Sequence, residues 1–123
     1  MPTENEVEYY AKKILKEIGI KPSINGYFCW IEAAKFFISQ KLKADYQIIS
    51  ELYIPLGKKL KINASKLERR LRYAHNSVRE EAQEFFNVTY HITNKDFLEL
   101  LIEKVEEEIR NANSKIDRKS KRN

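Results

Sequence analysis

The chain holds one cysteine, three glycines, three prolines and two histidines in 123 residues, and each scarcity closes something off. Cys29 stands alone, so no internal disulfide can form, which fits a reducing, cytoplasmic setting. So few glycines and prolines argue against an all-β fold, which needs a turn every few residues. They also leave no glycine-rich loop to cradle a nucleotide phosphate. His75 and His91 have no acid or cysteine at metal-ligand spacing, so no metal, no cofactor and no enzymatic activity are expected. Uninterrupted apolar runs are too short to span a membrane. The acidic start, MPTENEVEYY, lacks the basic-then-apolar layout of a signal peptide.

What is present is a charged, moderately apolar composition, 33% charged and 42% hydrophobic, which suits a single globular domain. The net charge is +5, and it is unevenly spread. Residues 1–56 are balanced. Between 57 and 79 the chain carries Lys58, Lys59, Lys61, Lys66, Arg69, Arg70, Arg72 and Arg79 against Glu68 alone. Acids outnumber bases from 80 to 112, and bases return in 113–123. A concentrated basic block is the footprint expected for a polyanionic partner. Charge alone does not separate that reading from an ordinary solvated helix face.

Apolar spacing predicts an all-α chain. Val7, Tyr10, Ile14 and Ile18 share one face of a helix over about 4–18, ended by Gly19. The run from Tyr27, apolar nearly all round, predicts a central helix over about 27–43 with Cys29 in the core. A third helix is expected over about 46–53, with Ile48, Ile49 and Leu52 facing inward. A short fourth runs over about 55–60 with Pro55 in its first turn, and a fifth over about 64–84. An irregular stretch follows. The last helix spans about 95–111, with Asn94 as its N-cap. The expectation is a compact six-helix bundle over 1–112 and a basic, disordered tail over 113–123.

The short helix over 55–60, a tight turn at 61–63 and the longer helix over 64–84 form a helix-turn-helix. At about 100° per residue, Leu67, Leu71, Ala74 and Val78 fall on one buried stripe. The opposite face carries Lys66, Arg69, Arg72, Tyr73 and Asn76. Arginine forks onto guanine, asparagine pairs with adenine, lysine reaches guanine or phosphate, and tyrosine packs on a sugar or a thymine methyl. A purely structural exposed helix would intersperse acids to form pairs one turn apart, and across the first four turns here Glu68 is the one acid. The stripe therefore points to double-stranded DNA. Glu68 has two readings: it completes a capping box with Ser65, or it accepts a bond from cytosine N4 in the groove. Lys58, Lys59 and Lys61 suit phosphate contacts from the helix that crosses the backbone, as do Ser65 and Arg70. The competing reading is a protein-binding adaptor that pairs with a full-length regulator or another acidic partner, with Glu99, Glu103, Glu106, Glu107 and Glu108 as a further contact surface.

Several separated runs carry a family likeness: Gly19-Ile20, Ile24-Asn25-Gly26-Tyr27, Leu52-Tyr53-Ile54-Pro55, Lys58-Lys59, Ala64-Ser65-Lys66-Leu67-Glu68-Arg69, Arg72-Tyr73-Ala74 and Thr93-Asn94-Lys95-Asp96-Phe97. In order and spacing they resemble the C-terminal effector domain of the master response regulator of sporulation in endospore-forming bacteria. The resemblance covers about 14–109. It implies a six-helix bundle whose fifth helix enters the major groove of a short asymmetric box, with two copies head to tail on tandem boxes. It places base reading on Lys66, Glu68 and Arg69, with Arg72 and Tyr73 at the backbone or groove edge. Lys66 stands where the family has an arginine, losing a bidentate fork, and Tyr73 where it has a histidine, so the family's box is not carried over. The segment over 77–92, with which the family touches the polymerase sigma factor, is shorter here. These residues include no phospho-acceptor receiver domain, so no aspartyl-phosphate switch is expected within them.

Overall fold

The computed structural model describes residues 2–43 and 45–122, with side chains up to 115. Among the described residues there are six α-helices, one π-helical turn and no strand. The helices are α1 (Glu4–Ile18), α2 (Asn25–Ser39), α3 (Ile54–Leu60), α4 (Ala64–Asn76), α5 (Arg79–Phe86) and α6 (Asn94–Arg122), with the π-helical turn over Ile48–Tyr53. The all-α six-helix bundle is as expected, although the chain divides itself differently. No helix of the described residues is long and apolar enough to cross a membrane.

α1 has the expected bounds. Thr3 and Glu6 close a capping box at its start, and Gly19 ends it at φ 112°, a left-handed value that glycine adopts at no steric cost. α2 is the hub: it packs on α1, α3, α4, α6 and the π-helical turn. Trp30, Ala33 and Ala34 are fully buried there, and Cys29 is in the core as expected. The helix ends earlier than its apolar run suggested, at Ser39 rather than 43, because Lys41 turns left-handed at φ 53°.

Further expectations need correction. The helix expected over 46–53 is a π-helical turn in which Ile54 donates its N–H to the Ile49 carbonyl, five residues back. Pro55 supplies the reason: in α geometry its ring would strike the Glu51 carbonyl, and the wider turn relieves that clash. The widening also rotates Ile49 away from Leu52, so Ile49 is 62% exposed rather than inward-facing.

The helix expected over 64–84 breaks after Asn76. Ser77 donates its Oγ–H to the Ala74 carbonyl (2.7 Å), and Val78 leaves helical geometry at φ −129°, ψ 35°. Val78 is still buried, beside Gly19, but it lies past the end of the helix whose stripe it was expected to complete. α5 then takes up the end of the stretch expected as one continuous helix and reaches Phe86.

Asn94 is not the cap of the last helix. Thr93 and Asp96 exchange the reciprocal bonds of a capping box (3.1 Å each), which leaves the Asn94 side chain free to turn inward. α6 runs from Asn94 to Arg122. The expected tail over 113–123 lies largely outside the described side chains.

Candidate nucleic-acid interface

Two close backbone approaches set the position of α4. A Cβ on Gly57 would sit 2.7 Å from the Ile62 carbonyl, so glycine permits the tight turn between α3 and α4. The Ile62 N–H closes that turn onto the Gly57 carbonyl (2.9 Å), and Lys61 takes a left-handed conformation at φ 61°. On the other side, a Cβ on Gly26 would lie 2.3 Å from the Arg70 carbonyl, so the first turn of α2 presses directly on the α4 backbone. The Trp30 indole N–H then donates to the Leu71 carbonyl (3.0 Å) within the core. With Leu67, Leu71 and Ala74 buried, one face of α4 is pinned and the other is presented to solvent.

The cap of α4 is Asn63, whose Oδ1 accepts from the Lys66 N–H (2.7 Å). The Ser65–Glu68 capping box therefore does not form, and the structural reading of Glu68 is corrected. Ser65 is the second helical residue and is exposed. Because Asn63 satisfies Lys66, the N–H groups of Ala64 and Ser65 are the first-turn donors left pointing along the axis.

Arg69 forms the crest of the outward face, between two clefts. One, of about 480 Å³, is lined by Ser23, Ile24, Asn25, Gly26, Lys66, Arg70 and Tyr73. The other, of about 450 Å³, is lined by Ile49, Tyr53, Ala64, Ser65, Glu68 and Arg72. Arg69 borders both. Lys66, Arg69, Arg72 and Tyr73 are exposed, while Arg70 is half-buried toward α2. Burial pushes the Cys29 thiol up, and the neighbouring Arg70 partly offsets this. Asn76 is exposed but lies apart from both clefts, in a third hollow of about 290 Å³ with His91, Thr93 and Lys95. It is the last residue of α4, about 15 Å along the axis from Lys66. Lys58 and Lys59 are exposed in the last turn of α3, and Lys61 is exposed in the turn itself.

Glu68 and Arg72 form a fork across one helical turn, Nε to Oε2 at 2.8 Å and Nη2 to Oε1 at 3.3 Å. Exposed pairs of this kind add little stability. The consequence here is positional, because the two polar ends are presented together. Beneath them lies a buried network that the sequence reading missed. The Asn94 amide donates to the Tyr53 hydroxyl (2.9 Å) and to the Glu68 carbonyl (3.2 Å), and lies 3.4 Å from the Glu68 carboxylate. Its Oδ1 accepts from His75 Nε2–H at 2.7 Å. Burial holds the His75 imidazole below its ordinary pKa, with the Asn94 bond opposing. A signal for this network was present: Thr93-x-x-Asp96 is itself a capping-box pattern, which frees Asn94 for another partner. Nothing in the spacing pointed to Tyr53 or Ile49.

Among the described residues no group of three His, Cys, Asp or Glu side chains could hold a metal ion. No curated protein matches the chain. Residues 11–105 match the family described as sporulation initiation factor Spo0A C terminal. With three quarters of its length matched and an all-helical bundle of the kind that resemblance implied, the chain belongs to the Spo0A C-terminal family, DNA-binding domains of transcription regulation in sporulation.

Proposed function

We propose that this domain binds double-stranded DNA sequence-specifically, with α4 in the major groove and α3 across the backbone. The observation that carries this reading is the position of Arg69, a crest between two clefts on the one face of α4 that the core leaves free. A major groove about 12 Å wide admits one such helix, and the N-terminal turns of a recognition helix meet the bases first. On this reading Lys66, Glu68 and Arg69 meet base edges. Arg72 and Tyr73 follow on either side, and Asn76 meets the duplex last, at the far end. Lys58, Lys59 and Lys61 contact phosphates, with Ser65 and its neighbouring free N–H groups holding another at the α4 N-terminus. Arg70 reaches a phosphate from the α2 side. Glu68 acts as the acceptor for cytosine, in the same fork that orients Arg72.

Partners beyond DNA follow from the family reading. A second copy would sit head to tail on a tandem site. A sigma-factor contact would fall on α5, where Glu80, Glu81 and Glu84 are exposed. Such a protein works where the genome is, in the cytoplasm.

Selection from random duplexes followed by polarisation titration tests the core of this. A preferred site should emerge, with affinity falling steeply as salt rises through release of on the order of five counterions. Arg69→Ala should cost about 1–3 kcal/mol on that site and relax its preference, whereas Lys59→Ala should weaken all sequences alike. No duplex binding at low salt, or an unchanged preference in Arg69→Ala, would overturn the assignment.

A further inference from the structure

The cleft on the Glu68 side contains a residue that the DNA-binding reading has not used. Ile49 is 62% exposed, yet it does not stand alone on open surface: it forms one wall of the 450 Å³ cleft whose other walls include Glu68, Arg69 and Arg72. An isolated surface isoleucine needs no explanation, but one built into the wall of a cleft flanked by Glu68, Arg69 and Arg72 does. The π-helical turn puts it there. In α geometry Ile49 would lie near the face of Leu52, which is fully buried; the wider turn swings it toward the first turn of α4. π-helical turns recur at functional sites for this kind of redirection.

An isoleucine can neither pair with a base edge nor hold a phosphate. In the major groove the one apolar group that varies with sequence is the thymine C5-methyl. We infer that Ile49 packs against a thymine methyl at the groove edge beside the Glu68–Arg72 fork, and so selects thymine at one position of the bound site. This rests on the DNA-binding reading above. On the opposite side of Arg69 the corresponding exposed apolar surface is Tyr73, 67% exposed. Tyr73 carries a hydroxyl and can serve a phosphate or sugar instead, so the methyl contact is assigned to Ile49.

The test couples one side chain to one methyl group. Each thymine of the selected site is replaced in turn by deoxyuridine, and affinity is measured with the unaltered protein and with Ile49→Ala. Thermal melting of the variant should be unchanged, because the side chain is exposed. One deoxyuridine position should weaken the unaltered protein about fourfold, the loss expected for one buried methyl group, and should leave Ile49→Ala unaffected. The same deoxyuridine penalty in both proteins at every position would overturn the contact. So would an Ile49→Ala defect shared by all sequences, which is the behaviour of a sugar contact. If the unaltered protein binds no duplex, the DNA-binding reading itself fails and takes this contact with it. Duplex binding with no coupling overturns only the role of Ile49.

Discussion

His75 on α4 donates its Nε2–H to the Oδ1 of Asn94 on α6, 2.7 Å away inside the core. This bond joins the presented helix to the last one, and it needs the imidazole in a particular tautomer. Stacking of His75 on Phe97, and its edge contact with Trp30, hold the ring in place.

Burial lowers the His75 pKa, with smaller contributions from His91 and Arg72 in the same direction, and with Asn94 and Glu68 opposing. In the unfolded chain the group titrates near 6.5, so between the two values the unfolded state binds more protons. Stability from this group is therefore complete above about pH 6.5 and declines as pH falls toward the folded value. Chemical denaturation between pH 7.5 and 5.5 should show this decline, and His75→Gln, which keeps a donor for Asn94, should flatten it. An equal slope in the variant would assign the decline to other groups.

Asn94→Ala removes the bonds to Tyr53, His75 and the Glu68 carbonyl together. Buried partners left unsatisfied cost about 1–3 kcal/mol each before relaxation. The expected loss is about 3 kcal/mol, seen as a lower denaturation midpoint with an unchanged slope. A loss below about 0.5 kcal/mol, the range of ordinary surface substitutions, would mean that water replaces the amide without cost.

Gly26→Ala forces a methyl group to within 2.3 Å of the Arg70 carbonyl and 2.5 Å of the Ala74 Cβ. Neither neighbour is a flexible side-chain end, so α2 and α4 must separate. Overpacking of this kind costs about 3 kcal/mol, at the upper end of its usual range. DNA affinity should fall even under conditions where circular dichroism shows the variant fully folded, because the pressed contact sets the position of α4.

Lys61→Gly separates binding from stability. The lysine sits at φ 61°, a conformation that costs an ordinary residue about 1–2 kcal/mol. Glycine relieves that cost, while freeing the unfolded chain takes part of the gain back. The melting temperature should hold or rise. Affinity for all duplexes should fall together, with the salt slope smaller by about one. A normal slope would remove Lys61 from the phosphate contacts.

The all-α class, the α1 bounds and the basic block over 57–79 were legible because each depends on local information: apolar spacing, a glycine after the last helical turn, the order of charges. The pinned stripe of Leu67, Leu71 and Ala74 was legible for the same reason, since helical periodicity states which residues share a face. The sequence by itself thus determined a helical domain with one cationic face on the helix that follows a tight turn. It also carried the family likeness that residues 11–105 bear out.

Only the tertiary structure decided where that helix ends and what holds it. Periodicity does not say where a helix stops when neither glycine nor proline marks the end, and α4 stops where Val78 turns in beside Gly19. Nor does it say which polar group an asparagine will satisfy. Asn63 caps α4 in place of Ser65, while Asn94, read as a cap, reaches Tyr53 across 41 residues of sequence. Ile49 faces outward because the ring of Pro55 widens the preceding turn. In each case the deciding contact lies outside the local pattern: a buried polar group takes whichever partner the packed chain brings within reach, and a helix face is exposed or covered only once its neighbours are in place.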